Sequence, residues 1–219
     1  MALRWKLVAG IAAAAVAIPV AVTAATRSKV EEPRYEVVAT EDAFEVRQYA
    51  PRIVAEVDLE YEDAKKATNI GFRILADYIF GNNEAQTKMA MTAPVDRTRS
   101  ETIAMTAPVD RTRDGDRWTV AFTMPSKFTL ETLPKPLDRR VRVRQIAKTR
   151  YAVMRFSGAP SERAVARKME QLVAAVEEAG LATSGSAPTY ARYDPPWTLP
   201  PLRRNEIFVE LRTPMAGGE

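Results

Sequence analysis

Two of the most reactive side chains are missing from this chain: its 219 residues include no Cys and no His. Disulfides, thiol nucleophiles and thiolate metal clusters are thereby excluded. So are Ser-His-Asp catalysis and His-ligated zinc. Two motifs remain that could do chemistry. The first is a literal repeat: Met89-Ala90-Met91-Thr92-Ala93-Pro94-Val95-Asp96-Arg97-Thr98-Arg99 recurs 14 residues later as Ile103-Ala104-Met105-Thr106-Ala107-Pro108-Val109-Asp110-Arg111-Thr112-Arg113. Met89, Met91 and Met105 are soft and polarisable, and could line an adaptable ligand wall or simply fill a core. The second is Tyr193-Asp194-Pro195-Pro196-Trp197-Thr198-Leu199-Pro200-Pro201-Leu202-Arg203-Arg204-Asn205-Glu206. Four prolines make a stiff loop that presents a Trp. Its two arginines suit carboxylates, either the protein's own or a ligand's.

These motifs need elements to position them. Alternation predicts strands at 44–49, 53–59, 118–124, 190–193 and 207–211. Residues 141–146 and 151–156 read as one hairpin turning at Lys148-Thr149. Each repeat alternates as a short strand, with its proline at an end, edge or bulge. Residues 64–80 read as a helix stopped by Gly81-Asn82-Asn83, and Ser161 as the N-cap of a second helix to Ala179, closed by Gly180. The first helix has two apolar stripes: Ala67, Ile70, Gly71, Ile74 and Tyr78 on one side, and Phe72, Ala76 and Ile79 on the other. One stripe suffices to dock on a sheet, so the second requires a cover such as a loop, a partner or a ligand. The mixed order of elements and their short connections predict an antiparallel α+β fold with a duplicated architecture.

At the N-terminus Arg4 and Lys6 precede an uncharged run of 20 residues, Leu7 to Thr26. Residues 1–26 therefore read as a signal peptide cut after Ala24 or Ala25, or as an uncleaved membrane anchor forming an N-terminal hydrophobic helix. Either reading places the rest in the cell envelope on the exported, periplasmic side. Residues 27–34 read as a linker, 35–212 as the folded domain, and 213–219 as a disordered tail. Basic and acidic residues number 32 and 28 and are interspersed. The Arg139–Arg150 stretch has no aromatic platform, so no nucleic-acid partner is expected.

The Met-Thr-Ala-Pro-Val segment, Met124-Pro125-Ser126, Phe156-Ser157-Gly158, Tyr193-Asp194-Pro195-Pro196 and Arg203-Arg204-Asn205-Glu206 occur in this order in the SOUL/heme-binding-protein family. The chain resembles that family from about Tyr35 to Leu211, and its bacterial members in the doubled Met-Thr-Ala-Pro-Val. The resemblance implies a distorted antiparallel β-barrel with two helices, built from pseudo-twofold duplicated βαββ units, as in bacterial effector-binding domains. It also implies non-covalent binding of haem or a related tetrapyrrole against the first helix, near the Pro-rich loop.

The sequence departs from the family at several places. One branch ligates iron through a His, which this chain lacks. Another meets the propionates with basic residues where Asn69, Asp77 and Thr198 stand here; Arg73, Lys66 or Arg204 could substitute. The expected ligand floor is Phe72, Ala76, Ile79 and Phe80, with Trp197 as rim and Arg73 as propionate partner. If a protein atom ligates iron, Met89, Met91, Met105 and Tyr193 are the first to test. The leading reading is a carrier or buffer for a porphyrin-like molecule, without catalysis. The alternatives are a sensor of another flat apolar molecule, an enzyme acting on tetrapyrroles, and a structural envelope protein with a vestigial cleft.

Overall fold

The computed structural model describes residues 30–85 and 100–212. The N-terminal run, the first copy of the repeat with Met89 and Met91, and the C-terminal tail lie outside the described residues. Among the described residues no helix is long and apolar enough to cross a membrane.

The elements run β1 (Tyr35–Thr40), β2 (Glu45–Tyr49), β3 (Arg52–Glu60), α1 (Ala64–Ile79), β4 (Asn83–Glu84), β5 (Val109–Asp114), β6 (Arg117–Thr123), β7 (Lys135–Pro136), β8 (Arg142–Ile146), β9 (Thr149–Ser157), α2 (Glu162–Glu178), β10 (Thr189–Arg192) and β11 (Arg204–Glu210). Nine strands form one antiparallel sheet in the order β1-β2-β9-β11-β10-β5-β6-β3-β8, while β4 and β7 pair separately. The fold is α+β, as expected. The second repeat becomes β5 only from Val109 onward, with Pro108 just outside the strand where its missing N–H costs no ladder bond.

Duplication is visible in the pairing. One unit is β3-α1-β5-β6, with β6 between β3 and β5; the other is β9-α2-β10-β11, with β11 between β9 and β10. The β5–β10 ladder joins them. Each unit then lends its leading strand to the other: β2 runs into β3 but pairs with β9, and β8 runs into β9 but pairs with β3. The expected hairpin at Lys148-Thr149 is therefore wrong. Both strands exist, but Ala147-Lys148 offers no residue suited to the left-handed turn of a two-residue hairpin, and β8 is held by β3 instead.

That exchange forces the sheet to curl. In a flat sheet β8 and β9 would stand about 29 Å apart at ~4.8 Å per strand. Three Cα steps, from Ile146 to Thr149, reach at most ~11 Å. The strand ends must come round, and Arg52 of β3 does reach the Tyr151 hydroxyl of β9 (3.4 Å). The result is a half-barrel.

Both helices lie on its convex side. Asp63 caps α1, accepting from the Lys66 N–H (2.7 Å), and Ser161 caps α2 through the Ala164 N–H (3.3 Å). The first apolar stripe of α1 is the docked one: Ala67, Gly71, Ile74 and Tyr78 are buried with Trp118, Val120 and Phe122. Gly71 permits the close approach, since a Cβ there would stand 2.7 Å from Val120 Cβ. Under α2, Val165, Leu172 and Val176 pack on Ala152, Met154, Ile207 and Val209. Arg111, from the repeat, is buried between the helices and donates to Thr68 of α1 and Glu162 of α2.

Candidate functional site

Phe72, Ala76 and Phe80 follow at i, i+4 and i+8 and so form one ridge along α1, spanning ~12 Å at 1.5 Å per residue. Phe72 is 37% exposed and Phe80 60% exposed. Phe72 is braced from below, its ring meeting Phe122 edge-on at 5.4 Å. Arg73 is exposed beside the ridge, its Nε donating to the Asn69 carbonyl (3.4 Å). Ile79 does not belong to this surface. It is 1% exposed and packs in the core beneath the helix, where the backbone N–H of Ile103 donates to its carbonyl. The helical wheel puts Ile79 near Phe72; the 100–103 segment folded over the end of α1 takes it out of solvent.

The Pro-rich loop is rigid for reasons internal to the protein. Arg203 donates to the carbonyls of Thr198 (2.7 Å) and Pro196. Asp194 accepts the Arg204 N–H (2.6 Å), and the Arg204 side chain pairs with Glu206 and Glu32. Arg204 is thus committed to the protein's own carboxylates. Thr198 is buried and Trp197 stands 74% exposed.

The concave side holds a second arrangement. A cleft of about 360 Å³ is lined by residues that include Tyr49, Arg52, Glu56, Asp110, Tyr151 and Phe208. Three carboxylates lie in one row across this face of the sheet, separated by alanines, and two of them, Asp110 and Glu56, line the cleft: Glu206, Ala191, Asp110, Ala121 and Glu56 are successive cross-strand partners. Glu206, fully buried, pairs with Arg47 (3.1 Å) and Arg204 (3.0 Å). Glu56 pairs with Arg142 (3.2 Å) and Arg144 (2.9 Å). Asp110 has no ion pair among the described residues, and its enclosed Oδ1 has no hydrogen-bond partner there. Burial pushes its carboxyl up to about 7, with Arg52 pulling down and Glu206 pushing up. Sequence held one signal of this site: Glu56 and Asp58 alternate with Val57 and Leu59, but a polar row on a strand reads as a solvated face until the sheet is known to curl.

Among the described residues, the outer face of α1 fits the flat apolar body of a tetrapyrrole. Tyr193, a sequence candidate for iron, is removed from that role. Its hydroxyl donates to Glu206 (2.7 Å), and burial together with Glu206 raises its pKa well above the ordinary value, so it stays a phenol. Met105 is exposed, while Met89 and Met91 lie outside the described residues.

A curled antiparallel sheet carrying two helices outside and a cleft inside defines an α+β half-barrel. One solved structure agrees at the level of fold. The EcmrR C-terminal domain superposes with a TM-score of 0.56 at 10% identity, covering 81% of this chain and 98% of that one. A hydrolase from Listeria innocua gives a TM-score of 0.49 at 17% identity, covering 80% and 94%. The model of the SOUL heme-binding protein family matches residues 30–210, and the chain belongs to that family. It is 27% identical over 197 residues to human Heme-binding protein 2, covering 87% of this chain and 91% of that protein.

Proposed function

We propose that this protein binds haem or a related tetrapyrrole by apolar contact on the outer face of α1, as a carrier or buffer in the cell envelope. The observation that carries this reading is the ridge of Phe72, Ala76 and Phe80, two aromatic rings left at the surface of a helix whose other face is fully docked. Family membership supports the ligand class. The ridge would hold the ring, Arg73 would meet a propionate, and Trp197 is the candidate rim. Bound haem would supply redox or ligand-exchange chemistry at its iron. The protein's own share is to shield one ring face from water and to orient the acidic edge. Apolar burial at ~25 cal/mol per Å² over much of a porphyrin face contributes several kcal/mol, enough for micromolar affinity after association costs.

The envelope assignment rests on Arg4, Lys6 and the uncharged run that follows them. A reporter active only in the cytoplasm, fused after Leu211, should be silent; activity would refute export. Ligand binding is tested by following the Soret band while haem, and separately iron-free protoporphyrin, is titrated into the purified chain. Comparable affinities support contact binding. A much tighter haem complex would mean that iron is ligated after all.

A further inference from the structure

We propose that the concave cleft is a second binding site, for a small aromatic molecule whose edge carries an N–H donor next to an acceptor. The row of carboxylates makes the case. Glu206 and Glu56 are each matched by two arginines, and Asp110 between them by none among the described residues. Its cross-strand neighbour on β6, Ala121, is small and lines the cleft beside it, while Ala191 on the other side is packed with Tyr49 and Phe208. Arg52 has the complementary deficiency. Its Nη2 donates to the Tyr151 hydroxyl (3.4 Å), whereas its enclosed Nη1 has no partner among the described residues.

The two groups do not meet each other in an ion pair, although Arg52 is close enough to pull the Asp110 carboxyl down. A fold that only needed to bury charge would have joined them, because enclosed polar atoms without partners are rare. One ligand edge satisfies both: its N–H donates to Asp110 and its acceptor takes the Arg52 Nη1 proton.

The walls fix the rest of the ligand. The rings of Tyr49, Tyr151 and Phe208 meet one another edge-on at 5.6–5.8 Å, and the Arg52 guanidinium lies over Tyr49 and Tyr151 at 5.2 and 5.5 Å. Such walls favour a flat aromatic body. The volume of about 360 Å³ falls within the usual range for small-ligand sites and is lined by both apolar and polar groups.

The test is calorimetric titration of the full chain with 2-aminoquinazolin-4-one, which has the required edge, and with 2-methylnaphthalene, which has the rings alone. The first should bind about tenfold tighter or more. Asp110→Asn and Arg52→Met should each weaken it by a similar factor. Ala121→Met, which fills the space beside Asp110 without touching a charge, should block it while circular dichroism stays unchanged. Saturating protoporphyrin should leave this affinity as it was, so the cleft is separable from the proposed porphyrin face. The inference is overturned if the quinazolinone gives no binding heat, if both probes bind alike, if Asp110→Asn is indifferent, or if porphyrin displaces the probe.

Discussion

Strand β6 shows both faces of the molecule at once. On the convex side Trp118, Val120 and Phe122 meet α1 and bury with it. On the concave side Thr119 and Ala121 of the same strand look into a cleft crossed by charged groups. The convex side is stabilised by apolar area and close fit. The concave side is organised by matched charges, Glu206 with Arg47 and Arg204, Glu56 with Arg142 and Arg144, around the Asp110 carboxyl, which has no ion pair among the described residues. A ligand can therefore be met without loss of fold on the convex side at what α1 leaves outside, and on the concave side at what the charge pairing leaves unsatisfied among the described residues.

The largest expected effect is on the charged side. Glu206→Ala leaves Arg47 buried without its cross-sheet carboxylate and should cost about 3–5 kcal/mol in urea unfolding. A cost under ~1 kcal/mol, as for an exposed pair, would show that the concave charges are merely solvated. On the apolar side, Leu75→Ala removes a fully buried side chain under α1 and should cost about 2–5 kcal/mol.

Asp110→Asn probes the concave side through pH. The Asp110 carboxyl sits at about 7 in the folded protein against an ordinary 3.8. Arg52 from β3 and Glu206 from β11 act on it, and burial dominates. The folded state then holds a proton that the unfolded chain has lost, so stability should fall as pH rises from about 4 to about 7 and level off above. Urea midpoints at pH 5 and pH 8 should differ in the wild type and draw together in Asp110→Asn; an unchanged difference would remove Asp110 from the account. The smallest effect belongs to Trp197→Ala. With 74% of the residue exposed, stability should move by less than ~0.5 kcal/mol in the same assay.

The convex side was legible in the sequence and the concave side was not. The docked stripe of α1 could be read from helical spacing, as could both caps of α2, Ser161 and Gly180, because these are local patterns. Ile79 was misplaced because the segment covering it includes Ile103, 24 residues further on, and carries no local mark. The 141–156 hairpin failed for a related reason: alternation finds strands but does not say which strand they pair with, and here the leading strands are exchanged between units. Asp110 lay in plain view inside the repeat. Only the β10–β5–β6 register, with an alanine on each side, separates it from the carboxylates that are ion-paired and leaves it without an ion pair among the described residues.

The most direct test of the porphyrin reading is a titration of wild type and Phe72→Asp with haem and with protoporphyrin, each variant first checked for an unchanged fold. Phe72 is partly exposed, so the substitution should leave the circular dichroism spectrum and cooperative unfolding in place. Wild type should bind the two rings with similar affinity, and Phe72→Asp should bind neither. Undiminished binding by a folded Phe72→Asp protein would contradict this and move the tetrapyrrole off the outer face of α1.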